Sequence, residues 1–219
     1  MTGKIITVTQ QKGGSGKTTL AAHIAVASAH NRKLRTAILD TDPQGSLGRW
    51  FMARKDRANG SGPDMTFRTA SAWGARYEAQ GLAEDHDIVI IDTPPKMGVD
   101  GRPAIETADL VVIPVAPSPV DLWATEPTIE MTRGENKPAL MVLNRANRRA
   151  RLTGEIAQAI ERHDIGAMRV TEPGEWRVMA MVENWEEKFG TAVTICPDDR
   201  FLATHQDFAD WAEGKKQLR

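Results

Sequence analysis

The chain has 219 residues, with 28 Lys plus Arg against 29 Asp plus Glu and a formal net charge of −1. That balance excludes nucleic-acid binding by bulk charge and leaves it only to a local patch. A composition of 41% hydrophobic and 26% charged residues excludes a disordered or collagen-like chain. The single cysteine, Cys196, excludes an internal disulfide or an internal Cys-based metal site. Apolar runs such as residues 88–91 are too short to cross a bilayer, and MTGKIITVTQ has no signal-peptide pattern. The expectation is a soluble, cytosolic chain with one domain over residues 1–219.

In chain order, residues 4–9 read as a strand followed by glycines, and residues 18–30 as a helix with Leu20, Ile24 and Ala27 at helical spacing. A second strand, 36–39, ends in Asp40, and a third, 87–91, ends in Asp92. Two more follow at 110–115 and 139–143. These compact apolar runs scarcely alternate, the pattern of strands covered on both faces. Strands alternating with helices predict an α/β fold: three layers, a mostly parallel sheet with helices on both faces. An antiparallel α+β domain is the alternative. The polar, glycine-rich stretch 54–64 reads as a surface loop, and helices are expected over 151–163, 176–189 and 199–213. Six tryptophans stand against one tyrosine. Trp50, Trp73, Trp123, Trp176, Trp185 and Trp211 are scattered and read as packing or partner contacts, since they form no stacking ladder.

Gln11-Lys12-Gly13-Gly14-Ser15-Gly16-Lys17-Thr18-Thr19 stands between a strand and a helix. Glycines let successive N–H groups turn inward on phosphate oxygens, beside the positive end of the next helix. Lys17 would reach the β- and γ-phosphates and the Thr18 hydroxyl would bind Mg²⁺; a flexible glycine turn is the alternative. Asp40, Asp42 and Asp92 lie at or just past strand C-termini, the edge where open α/β sheets place ligands. Asp92 suits Mg²⁺, held through water, whereas strand-end aspartates also serve as helix caps.

KGGSGKT with its extra lysine, Lys12, resembles the mark of the ParA/MinD family of deviant Walker ATPases. DTDPQGS (residues 40–46), IVIIDTPP (88–95) and DLVVIPVAP (109–117) are similar to further motifs of that family in the same order, and the match runs from residue 3 to about 145. The resemblance implies an Mg-dependent ATPase with ATP and Mg²⁺ as cofactors. It implies catalytic roles for Lys12, Lys17 and Asp42. Lys12 would cross to the partner's nucleotide in an ATP-bound homodimer, and Asp42 would position the attacking water. ATP would contact Lys12, Gly13, Gly14, Ser15, Gly16, Lys17, Thr18 and Thr19. Asn144 would stand on the adenine side, or cap a turn at its strand end. Mg²⁺ would involve Thr18, Asp40 and Asp92, with Asp92, Thr93, Pro94 and Pro95 as a switch sensing the γ-phosphate.

Lys137, Arg145, Arg148, Arg149 and Arg151 form a run without acidic residues. Such a cluster grips phosphate backbones without reading sequence, or is a solvated face. The family's non-specific DNA binding makes Arg145, Arg148, Arg149, Arg151 and Arg177 candidate DNA contacts. The reading is a partition or positioning ATPase, cytoplasmic and nucleoid-associated, released by a ParB-like or other adaptor that stimulates slow hydrolysis. With the first strand starting near Lys4, no N-terminal helix-turn-helix domain is expected. A MinD-like membrane-recruited relative is the alternative, through a tail with Leu202, Phe208 and Trp211; the acidic residues mixed into that tail favour packing on the core over lipid. An electron carrier on the same scaffold, such as the nitrogenase iron protein, holds an iron–sulfur cluster with two cysteines from each subunit, and the one cysteine here fails it on ligand count. The C-terminal third departs most from the family pattern.

Overall fold

The computed structural model describes residues 2–30, 32–58, 63–95, 101–116 and 118–144, and beyond these only strand backbone at 167–171 and 192–196. Strands β1 (Lys4–Val8), β2 (Thr36–Asp40), β3 (Met65–Thr69), β4 (Ile88–Asp92), β5 (Leu110–Val115) and β6 (Ala139–Leu143) form one sheet in the order β3-β2-β4-β1-β5-β6. Every pairing is parallel. The α/β expectation is met, and the antiparallel alternative falls.

The side-chain period of two explains why the central strands are apolar throughout. On one face Val8, Ile38, Ile88, Ile90 and Val112 pack with helices α1 (Lys17–His30) and α2 (Ser46–Ala58). On the other, Ile5, Ala37, Leu39, Val89 and Ile91 pack with α3 (Ala75–Asp85) and α4 (Arg102–Glu106). Val111, Ile113 and Val115 join Ile105 and Ile129, the latter from α6 (Glu126–Gly134), with the short α5 (Pro119–Trp123) just before it. Ile38 and Ile90 are fully buried; truncating either to Ala would cost about 2–5 kcal/mol. Register sets Asp40 and Val8 each level with Asp92, so three strand ends meet on one edge.

Several expectations shift. Residues 54–58, read as loop, continue α2, because Arg, Lys and Ala favour the helix once Leu47 and Phe51 are anchored on the core. Strand β3 is an edge strand whose outer half, Arg68 and Thr69, is exposed, which weakens its apolar signal. Trp50 is half-buried, but Trp73 and Trp123 are 71% and 72% exposed, so those two do not pack in the core.

The contacts of the chain group into two compact units, Met1–Ile156 and Ala157–Arg219. The second unit holds a parallel pair, β7 (Ala167–Thr171) and β8 (Ala192–Cys196), with Ala167 opposite Ala192. The helices expected over 151–163, 176–189 and 199–213 lie outside the described residues. So do Arg145, Arg148, Arg149, Arg151 and Arg177.

Candidate nucleotide site

The loop between β1 and α1 takes its shape from glycine. Gly14 and Gly16 have φ of +79° and +93°, a region L side chains rarely adopt. A Cβ at Gly13 or Gly14 would meet nothing within 4 Å, so the loop faces open space there. At Gly16 it would lie 2.2 Å from the Asn144 amide nitrogen. Asn144 follows β6 and donates from Nδ2 to the Ser15 carbonyl at 2.9 Å. It therefore ties the far side of the sheet to the phosphate loop.

Lys17 is buried, and its Nζ donates to the Lys12 carbonyl at 3.3 Å. Burial lowers its pKa, while the charges of Asp92 and Asp42 act in the opposite direction. Those carboxylates place the two aspartates in the lysine's electrostatic neighbourhood. Asp92 is fully buried, and neither carboxylate oxygen has a hydrogen-bond partner. Desolvation pushes its pKa up to about 7, with the Asp40 charge adding to it. The Thr18 hydroxyl stands near enough to favour the ionised form without making a hydrogen bond of ordinary geometry. Ser15 Oγ is likewise buried and unpaired. An acceptor pair with no donor, next to a threonine hydroxyl and a phosphate loop, fits a hydrated divalent cation on a nucleotide.

Asp40 is held by backbone donors. It accepts from the backbone N–H of Asp42 at 3.0 Å and of Gly48 at 3.1 Å, fixing the turn that leads into α2. Burial raises its pKa and these hydrogen bonds oppose the rise. Asp42 stands in that turn, accepting from Gln44 N at 2.9 Å. Thr41 donates to the Asp92 carbonyl at 2.8 Å and Thr93 to the Val8 carbonyl at 2.9 Å, so the loops after β2 and β4 both spring from stitched strand ends. Pro94 is half-buried and Pro95 exposed.

Lys12, 34% exposed, reaches Asp121 Oδ2 at 2.6 Å within the same chain. Burial alone would raise the Asp121 carboxyl, but Lys12 and the Ser118 hydroxyl outweigh it and hold the pKa below its ordinary value. Asp121 is a residue that sequence reasoning missed. Its signal was Ser118-Pro119-Val120-Asp121, a helix start with Ser as cap, Pro at the first position and an acid three residues on. A buried relay continues from it. The Thr125 hydroxyl donates to the Asp121 carbonyl at 2.8 Å and accepts from Gln10 Nε2 at 2.9 Å.

Comparison with known proteins fits this geometry. The AAA domain family model matches residues 3–68, and the deoxyribodipyrimidine photo-lyase-related protein model matches 136–219. The maintenance of carboxysome distribution protein A of Halothiobacillus neapolitanus is 34% identical over 165 residues, 72% of this chain and 73% of that protein. A (6-4) photolyase of Agrobacterium fabrum is 44% identical over 66 residues, 30% of this chain but 13% of that enzyme. The septum site-determining protein MinD of Pyrococcus horikoshii, complexed with Mg-ADP, superposes with a TM-score of 0.60 at 18% identity, over 72% of this chain and 76% of that one. The photolyase-related match falls on the C-terminal third, where the chain departs from the nucleotide-loop pattern.

Proposed function

Because the chain belongs to the ParA/MinD family of P-loop ATPases, we propose that it is a positioning or partition ATPase that dimerises on ATP, holds DNA without sequence preference and lets go on hydrolysis. The observation that carries this reading is the grouping of Lys17, Thr18, Asp42 and the unpartnered Asp92 at the mouth of the phosphate loop, with Lys12 on its solvent side.

Gly13 to Thr19 would wrap the phosphates, and Lys17 would move from the Lys12 carbonyl onto the β- and γ-oxygens. Thr18 and Asp92 would hold Mg²⁺, whose charge offsets that developing on the transferred phosphoryl group. Asp40 would keep Asp42 in place, and Asp42 would orient the attacking water. Lys12 would leave Asp121 for the nucleotide of the second subunit, adding a cation where two triphosphates face one another. Asn144 would hold the loop while facing the adenine side, and Thr93, Pro94 and Pro95 would relay the γ-phosphate state.

DNA contact is proposed for Arg145, Arg148, Arg149, Arg151 and Arg177 on charge alone, and dimerisation would double the patch and so its retention. An adaptor that stimulates hydrolysis would set the cargo. The carboxysome-distribution relative supports a protein-body cargo as readily as a plasmid or chromosome.

DNA retention and solution mass, measured with ATP, ADP and no nucleotide, test the reading. ATP-specific dimers that hold DNA support it. A nucleotide-independent monomer overturns it, and ATP dimers that bind vesicles instead of DNA replace it with the membrane-recruited alternative.

A further inference from the structure

A second concavity lies away from the phosphate loop, between α1 and α2. It has a volume of about 350 Å³ and is lined by Ala22, His23, Val26, Ala27, Trp50 and Arg54. Each helix follows one strand and precedes another parallel to it, and both pack on the same sheet face. They therefore run side by side in the same direction, with an open trough between them.

The floor is apolar, and Arg54 is the charged residue of the lining among the described residues. α1 has no acidic residue. In α2 the one acid, Asp56, stands about 200° around the helix from Arg54, whereas Arg57 is one turn on from Arg54 and shares its face. Among the described residues neither Arg54 nor His23 enters an ion pair. Arg57, in the last turn, also answers the helix dipole, but Arg54 lies within the trough itself. A duplex backbone fits this poorly, because seating phosphate on Ala22, Val26 and Ala27 desolvates charge against hydrocarbon. An amphipathic helix satisfies floor and rim together.

We propose that the α1–α2 groove docks an acidic amphipathic helix of a partner polypeptide. Its apolar stripe lies on Val26, Ala27 and Trp50, and its carboxylates meet Arg54 and Arg57, with His23 as a further hydrogen-bond partner. The site goes beyond the nucleotide reading and does not depend on it. A helix seated there touches both elements that leave the nucleotide edge: α1 at Lys17, and α2 just after the Asp42 turn.

The test uses the full chain and three fluorescent probes: a synthetic helix of Glu and Leu with Leu at i, i+3, i+4 and i+7, its Lys–Leu counterpart, and a duplex DNA. The Glu–Leu helix should bind saturably and the Lys–Leu helix should not. Arg54→Glu and Ala27→Glu, the second at an exposed position the fold tolerates, should each weaken binding at least about tenfold and leave ATP turnover unchanged. Absence of saturable Glu–Leu binding overturns the proposal, as does binding that survives both substitutions. Duplex DNA binding lost through these same substitutions would reassign the face to nucleic acid.

Discussion

Lys12 Nζ and Asp121 Oδ2 stand 2.6 Å apart within one chain, so the lysine expected to serve a second subunit is held at home by a carboxylate of its own. The pair is fastened at both ends: Ser118 caps α5 and hydrogen-bonds Asp121, and Gln10, two residues before Lys12, joins the same cluster through Thr125. Any role for Lys12 in trans has to compete with this contact.

Asp121→Asn removes the competing charge. With Lys12 partly exposed, the pair contributes about 0.5–1 kcal/mol. Each subunit of the dimer gives up one such pair, so ATP-dependent dimerisation should then occur at protein concentrations about five- to thirtyfold lower, read by sedimentation. The same pair is pH-dependent. The Asp121 pKa is depressed in the fold, so its stabilisation is present above the ordinary carboxyl range and fades as pH falls through the lowered value. An unchanged dimerisation midpoint in the variant would show that the two contacts do not compete.

Asp92 works in the opposite sense. Its pKa is raised to about 7, so the ligand-free fold gains from this group at low pH and loses that gain as pH rises toward 7. Asp92→Asn should stabilise the ligand-free protein at pH 8 by about 1–3 kcal/mol, seen as a higher melting temperature. It should also abolish the added stabilisation from Mg²⁺ with ATP. In the parent chain, binding of that pair should release a proton near pH 7, detectable by calorimetry in buffers of different ionisation enthalpy.

Asp42→Ala should leave ATP binding largely intact, because Asp42 lies in the turn held by Asp40 and not in the loop that wraps the phosphates. Phosphate release should fall by orders of magnitude. Wild-type turnover in this variant would remove Asp42 from the mechanism.

Gly16→Ala combines a positive-φ penalty with a collision against Asn144. Of the two, only the collision can be relieved by shortening the asparagine. The single variant should lose about 1–3 kcal/mol of stability and most nucleotide affinity, whereas Asn144→Ala in the same background should restore only part. A double-mutant cycle by thermal unfolding and nucleotide titration separates the terms; full restoration would place the whole cost in the contact.

Changing Arg148 and Arg149 together to Glu should abolish DNA retention in an ATP-loaded filter assay while sparing ATP hydrolysis. Retention that survives the change moves the DNA contact elsewhere.

The sheet was largely readable because β2, β4 and β5 are covered on both faces and so lack polar alternation, while the phosphate loop was readable because its glycines and lysines have no packing purpose. What escaped lies where tertiary contact overrides local signal. β3 is half exposed, and the tip of α2 reads as loop until Leu47 and Phe51 anchor it. Asp121 is an ordinary cap acid in sequence, and only folding carries it to Lys12 across more than a hundred residues. Asp40 shows the same limit: the resemblance implied a part in Mg²⁺ binding, and its hold on the backbone N–H groups of Asp42 and Gly48 emerges only with the fold.

Thr41 and Thr93 fasten neighbouring strand ends by hydroxyl-to-carbonyl bonds, and the Thr9 backbone N–H adds a bond to the Val112 carbonyl. The floor of the proposed nucleotide site is thus an anvil, its strand ends braced against splaying. On the proposed nucleotide cycle, motion that distinguishes triphosphate from diphosphate would start beyond those threonines, so a spectroscopic reporter placed after Thr93 should register the exchange while one within β4 stays silent.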